Sequence, residues 1–235
     1  MQDISLLNLS VAFIPMLVVL AILFRWHMNY GNAIYAIFRM VIQLLLIGYL
    51  LVFIFKADNS WIVLGVLIIM ISASSWIALG VVGTHQRSLF SVALLSIATG
   101  GGISLLVVTQ GVLTLQPWYE ARYMVPLAGM VFANAMNTVS LAVERLQSEL
   151  SRGADYTAAR NTAFQAALIP VINSLFAVGL VSLPGMMTGQ ILSGISPLIA
   201  VRYQIVVMCM IFSSAGISSA LFLCLARKYF MTPQK

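Results

Sequence analysis

Residues 144–163 read ERLQSELSRGADYTAARNTA, the one long run of this chain that water would welcome. On either side lie apolar stretches rich in Pro, Gly, Met and Asn: MVPLAGMVFANAMN at 124–137 and AALIPVINSLFAVGLVSLPGMMTGQ at 166–190. A polar island between two stretches that avoid water reads as a connection between membrane helices. Locally, Glu144 to Arg152 extends the preceding helix by about two turns, and Gly153 breaks it. Asp155 then serves as N-cap for a short helix from Tyr156 to about Ala163, which turns into the next span. The island is open to two readings, a docking surface for a partner or a solvated connection.

Composition supports the membrane reading outward from the island. Of 235 residues, 61% are hydrophobic and 8% charged, with a mean hydropathy of +1.02. A soluble domain carries about 25% charged residues. Apolar runs of membrane-spanning length recur along the chain, and the alternating ten-residue pattern of an outer-membrane barrel is absent. The expected fold is all-α, a single polytopic permease-like domain over 1–235 with about seven transmembrane helices. They fall near 5–24, 36–55, 61–83, 89–110, 123–143, 164–182 and 203–226. The N-terminus lacks a basic region of the signal-peptide kind, and Leu6 to Phe24 is long enough to be a first span.

An odd number of spans puts the termini on opposite sides. With the N-terminus outside, the cytoplasm receives Arg25, Arg87, Arg145, Arg152, Arg160, Arg227, Lys228 and Lys235. The outside receives only Lys56, Arg122 and Arg202. This positive-inside bias makes the island and the C-terminus cytoplasmic. It also accounts for the net charge of +6, which is too scattered for a nucleic-acid-binding face. Lipid is the expected surrounding, and no nucleic-acid partner is implied.

Catalytic chemistry finds few parts. Of the six carboxylates, Asp3, Asp58 and Glu120 sit at outer span ends, and Glu144, Glu149 and Asp155 sit in the island. His27 and His85 are isolated interfacial residues. No His-x-x-x-His, Cys-x-x-Cys or Gly-x-Ser-x-Gly motif occurs, so no metal site is assigned. Cys209 and Cys224 are fifteen residues apart, roughly 22 Å on one helix and beyond disulfide reach. No Gly-x-x-x-x-Gly-Lys-Ser/Thr loop cradles a phosphate. If transport is powered, ATP and Mg belong to a separate chain and no cofactor belongs to this one.

A substrate path has better material. Met130, Asn134, Asn137, Leu141 and Glu144 follow i, i+4, i+7, i+11 and i+14, one face of a helix. Asn residues in hydrocarbon need partners, so this stripe is either interhelical glue or a contact for a permeating species. Asn173, just after the helix-bending Pro170, is a natural partner in both readings. Arg39 and Gln43 also share a face, where Arg39 either snorkels to the interface or lines a gate. Of the thirteen methionines, Met130, Met136, Met186 and Met187 flank the path, as adaptable filler or as soft ligands. Small residues at 72–75, 99–104 and 213–219 suit close helix packing. The stretch 183–200 is apolar yet broken by Pro184, Gly185, Gly189, Gly194 and Pro197, and reads as a re-entrant or interfacial helix or a broken extension of the sixth span. Pro126, Pro170, Pro184 and Gly185 are the expected bend points.

Several of these stretches also resemble the FetB permeases. They are Arg39-Met-Val-Ile-Gln-Leu44 with Gly48-Tyr49, Pro126-Leu-Ala-Gly-Met130 with Asn134-Ala-Met136, and Ala167-Leu-Ile-Pro170. To these add Val178-Gly-Leu-Val-Ser-Leu-Pro-Gly-Met-Met187, and Gly194-Ile-Ser-Pro197 followed by Arg202-Tyr-Gln204. The similarity runs from about residue 17 to 230. It implies the membrane subunit of a bacterial ABC exporter linked to iron. The expected assembly is a permease homodimer in the inner membrane with two copies of a cytoplasmic ATPase of the FetA kind. Plant relatives are tied to aluminium tolerance and nucleotide-sugar transport. The link between the first two spans is shorter here than the family leads one to expect. The island also lacks the Glu-Ala-Ala-x-x-x-Gly spacing of importer permeases, which argues against a binding-protein-dependent importer. On this reading Glu149, Arg152, Gly153, Asp155, Tyr156 and Arg160 couple to the ATPase, and the island transmits its motion to the helices on either side.

Overall fold

The computed structural model describes residues 5–56, 59–82 and 86–231. Asp3, Asp58, His85 and Lys235, used above, lie outside the described residues. Within them the regular structure is helical, with one isolated bridge between Val178 and Ser182. The chain divides into two compact units, one of residues 1–56 and one of residues 57–235.

The first unit holds α1 (Leu6–Val11), α2 (Ile14–Arg25) and α3 (Tyr30–Lys56), with α2 packed on α3. Ser5 caps α1 by accepting the Asn8 N–H. The expected span 5–24 is interrupted at Ala12–Phe13, where Pro15 opens α2 in the position a helix start tolerates. α3 is six residues longer at its start than the expected 36–55 and carries Arg39 and Gln43.

The second unit contains α4 (Ser60–Ala78), α5 (Gln86–Leu106) with a π-helical turn at Val107–Val112, and α6 (Ala121–Ser151). Then follow α7 (Tyr156–Ala177), α8 (Gly185–Leu192), α9 (Pro197–Leu225) and the short α10 (Arg227–Met231). Asn59 starts α4 by accepting the Trp61 N–H at 2.9 Å. α9 lies at the centre and packs against α5, α6, α7 and α8, while α6 also packs on α4, α5 and α7.

Small residues set the closest of these contacts. A Cβ on Gly100 would stand 2.7 Å from the backbone nitrogen of Ser218, so α5 and α9 meet almost backbone to backbone. Without a hydrophobic driving force in lipid, such contact is what holds helices together. The Ser218 hydroxyl in this seam is buried without a hydrogen-bond partner, whereas two neighbours return to their own helices: Ser104 donates to the Gly100 carbonyl and Ser219 to the Ala215 carbonyl. These two are thus paired without a partner across the interface.

Among the described residues, six helical stretches are long and apolar enough to cross a membrane: Asn8–Arg25, Tyr30–Lys56, Ser60–Ala78, Gln86–Val112, Ala121–Ser151 and Pro197–Met231. The seventh expected span, 164–182, is not among them. α7 begins earlier, at Tyr156, so its first half carries the island's Arg160, Asn161 and Gln165. It also ends at Ala177, where the chain turns through Gly179 with φ +82° and the Gly179 N–H bonds the Ser182 carbonyl. The island is a helical hairpin with the break at Gly153 and the Asp155 cap that its sequence predicts, but the expected short helix to Ala163 runs unbroken into α7. Beyond it, 183–200 resolves into α8, a turn at 193–196, and the first turn of α9.

Candidate functional site

The hairpin follows its local chemistry closely. α6 is capped by Arg152, after which Gly153 adopts φ +84°, a conformation that disfavours residues with a Cβ. The Gly153 N–H bonds the Leu150 carbonyl and the Ala154 N–H bonds the Glu149 carbonyl. This is the paired arrangement that closes a helix C-terminus on a left-handed glycine. Two residues later the Asp155 carboxylate accepts the Thr157 N–H at 2.9 Å and starts α7. That bond holds the Asp155 carboxyl below its usual range.

The expected coupling residues divide by exposure. Glu149 accepts from Arg145 at 2.7 Å and lies 3.6 Å from Arg152. Arg160 bonds Asn161 locally. Surface pairs of this kind stabilise by at most about 1 kcal/mol, so these charges remain available to a partner. Tyr156, expected among them, faces the other way. It is 3% exposed and packs with Ala142, Leu146, Ala159, Ala163, Ala167 and Leu223. Its hydroxyl donates to the Leu223 carbonyl near the end of α9, among the last-turn carbonyls a helix cannot pair internally. The Arg227 guanidinium lies 5.8 Å over its ring. Burial first, and then neighbouring Cys224, push the Tyr156 phenol up to about 12. Tyr156 thus fastens the hairpin to α9.

Further along the same helices lies a pocket of about 410 Å³. α6 contributes Met130, Asn134, Asn137, Thr138 and Leu141, as the sequence stripe requires. α7 adds Pro170, Val171 and Ser174, and the turn before α8 adds Ser182 and Pro184. The first residues of α8, Gly185 and Met186, close one side, and α9 supplies Gln204, Val207, Met208 and Ile211. The lining is neutral, made of amides, hydroxyls, thioethers and aliphatic carbon. Asn134 donates its side-chain N–H to the Met130 carbonyl at 2.8 Å, which keeps its amide oxygen as an acceptor. Thr138 donates to the Asn134 carbonyl at 2.8 Å.

Other expected path residues fall elsewhere. Met187 lines a second, apolar pocket of about 400 Å³ with Leu175, Phe212 and others. Asn173 is exposed on α7 and does not line the polar pocket. Arg39 is half-buried and Gln43 exposed on α3 of the first unit. Pro126 and Pro170 stand inside α6 and α7, where each lacks the N–H that would bond back along the helix. Pro184 and Gly185 begin α8 instead of bending a span. Gln204 and Met208 were not singled out as site residues from sequence. Gln204 is a polar residue eight positions into an apolar helix, the signal that marks a pathway residue. In the expected span 203–226 Gln204 falls at the span end, where a polar side chain is ordinary.

Apolar helices that need lipid around them, enclosing a small neutral pocket between their packed faces, define a multi-pass membrane protein. The chain belongs to the family described as "Uncharacterised protein family (UPF0014)", which matches residues 6–231. It is 36% identical over 221 residues to the UPF0014 membrane protein slr1647 of Synechocystis, covering 87% of this chain and 85% of that one. It is 37% identical to Protein ALUMINUM SENSITIVE 3 of Arabidopsis thaliana, covering 86% of this chain and 79% of the relative. It is 33% identical over 242 residues to the "Probable iron export permease protein FetB" of Escherichia coli, covering 93% and 90%. No solved structure matches.

Proposed function

We propose that this chain is the membrane subunit of an ATP-driven exporter that moves a cytoplasmic solute, iron first among candidates, across a bacterial inner membrane. The observation that carries the reading is that α9 holds both ends of the machinery. Near its C-terminus it is bonded to Tyr156 of the hairpin, and toward its N-terminus it supplies the Gln204–Ile211 wall of the pocket. A push on the hairpin from a cytoplasmic ATPase is thereby delivered to α6, α7 and α9 together. ATP and Mg reside on that partner, which docks against Glu149, Arg152, Asp155 and Arg160. A pair of these chains facing a pair of ATPases is the expected symmetry. The iron assignment leans on the name of the Escherichia coli relative.

The test is ATPase activity of the permease reconstituted in liposomes with its candidate ATPase, titrated with ferrous iron and separately with UDP-glucose. Stimulation by iron alone is the expected result. Stimulation by the sugar nucleotide would keep the architecture and overturn the cargo. Failure to form a complex, with no ATPase response, would overturn the motor-driven reading.

A further inference from the structure

Gln204 is 6% exposed, and its side-chain oxygen is sealed from water without a hydrogen-bond partner. Buried amide oxygens are almost always paired, so an orphan needs a reason. The residue stands in the wall between the polar and the apolar pocket, since it and Met208 line both. Across the polar pocket, Asn134 gives one of its two side-chain N–H groups to its own helix and retains its oxygen. The pocket therefore offers neutral acceptors beside amide and hydroxyl donors, with no carboxylate, imidazole or thiolate in its lining.

Neutral amide oxygens are weak direct ligands for a transition-metal cation, but they are good acceptors for the polarised O–H groups of its bound water. The size agrees. Six waters at about 30 Å³ each occupy roughly 180 Å³, which fits within about 410 Å³, where a bare ion would touch few walls at once. The N-terminus of α8 opens on the same pocket and disfavours a bare cation close to its N–H groups. A water shell holds the charge at a distance. Transport also favours a site that binds without trapping.

We propose that the pocket takes its cation with the water shell in place, and that Gln204 is the specificity-determining acceptor for that shell. The proposal rests on the metal-cation reading above. The probe is hexaamminecobalt(III), whose inert shell of N–H donors imitates bound water and cannot exchange for a protein ligand. Binding of ferrous iron to the full chain in nanodiscs would be measured by equilibrium dialysis at fixed ionic strength, with and without the cobalt complex. The complex should compete in the wild type. Gln204→Met, close in volume, should weaken its binding about tenfold, the loss of one good hydrogen bond. Gln204→Glu should tighten it, which guards against a variant that merely unfolds. Iron binding without competition would overturn the hydrated mode and leave the pocket as a cation site. Equal competition in wild type and Gln204→Met would remove Gln204 from recognition. No iron binding at all would overturn the cation reading itself.

Discussion

Tyr156 carries more of the architecture than any other polar side chain in the hairpin, because one hydroxyl joins two helices that are far apart in sequence. Tyr156→Phe removes the donor and keeps the ring in its alanine-lined seat, so the loss should be about 1 kcal/mol of stability. The expected readout is a lower Tm in detergent than the wild type at pH 8. The same pair of proteins separates the bond from general effects of alkali. Folding raises the Tyr156 phenol from 10.0 to about 12, so its contribution is fully present below pH 10. It is lost as pH rises through about 12, because the unfolded chain releases the proton first. The Tm gap between wild type and Tyr156→Phe should therefore shrink between pH 10 and pH 12. A gap that stays constant over that range would show that the hydroxyl is not buried in the folded protein. Asp155 acts in the opposite sense. Its lowered carboxyl favours folding near neutrality and loses that contribution as the pH falls through its folded pKa.

At the scale of elements, the seam between α5 and α9 decides whether the second unit closes. Gly100→Ala would drive a methyl group against the Ser218 backbone, a contact no rotamer change can relieve, and should cost about 1–3 kcal/mol. Gly102, two residues on, has nothing within 4 Å of the corresponding position. Gly102→Ala should be neutral or raise stability by up to about 1 kcal/mol through helix propensity. Thermal unfolding of the two variants checks the pair, and equal destabilisation would mean the seam does not bear on Gly100. The contrast also marks what was legible in the sequence. The run of small residues announced a packing face, but which glycine touches backbone depends on a three-dimensional approach that spacing does not encode. The hairpin is legible almost residue by residue, since Gly153 and Asp155 act through bonds to their immediate neighbours. Helix periodicity likewise placed Met130, Asn134 and Asn137 on one wall of the pocket. Its opposite wall of Gln204 and Met208, like the buried seat of Tyr156, depends on contacts across some fifty or more residues and left only weak local traces.

For the molecule as a whole, the contacts of α9 bear on how often the chain crosses the membrane. Leu223, near the end of α9, sits against Tyr156 at the start of α7. α9 has 29 residues, about 44 Å of helix, so its beginning at Pro197 lies far from the hairpin. The chain between Tyr156 and Pro197 must cover that distance, and α7, packed along α6 and α9, is the element that does so. Its apolar part is short of the roughly 30 Å core, but the turn at Gly179 and α8 continue from it. We therefore expect seven crossings, with the N-terminus outside and the hairpin, Arg227 and Lys228 in the cytoplasm as the charge bias favours. In a background with Cys209→Ser and Cys224→Ser, Ala154→Cys in the hairpin and Ser193→Cys in the turn before α9 supply one label site each. A membrane-impermeant maleimide should modify Ala154→Cys only in inside-out vesicles and Ser193→Cys only in right-side-out ones. Labelling of both from the same side would mean that α7 does not cross. The pocket would then open toward the same face as the hairpin, and alternating access would have to work without a second mouth.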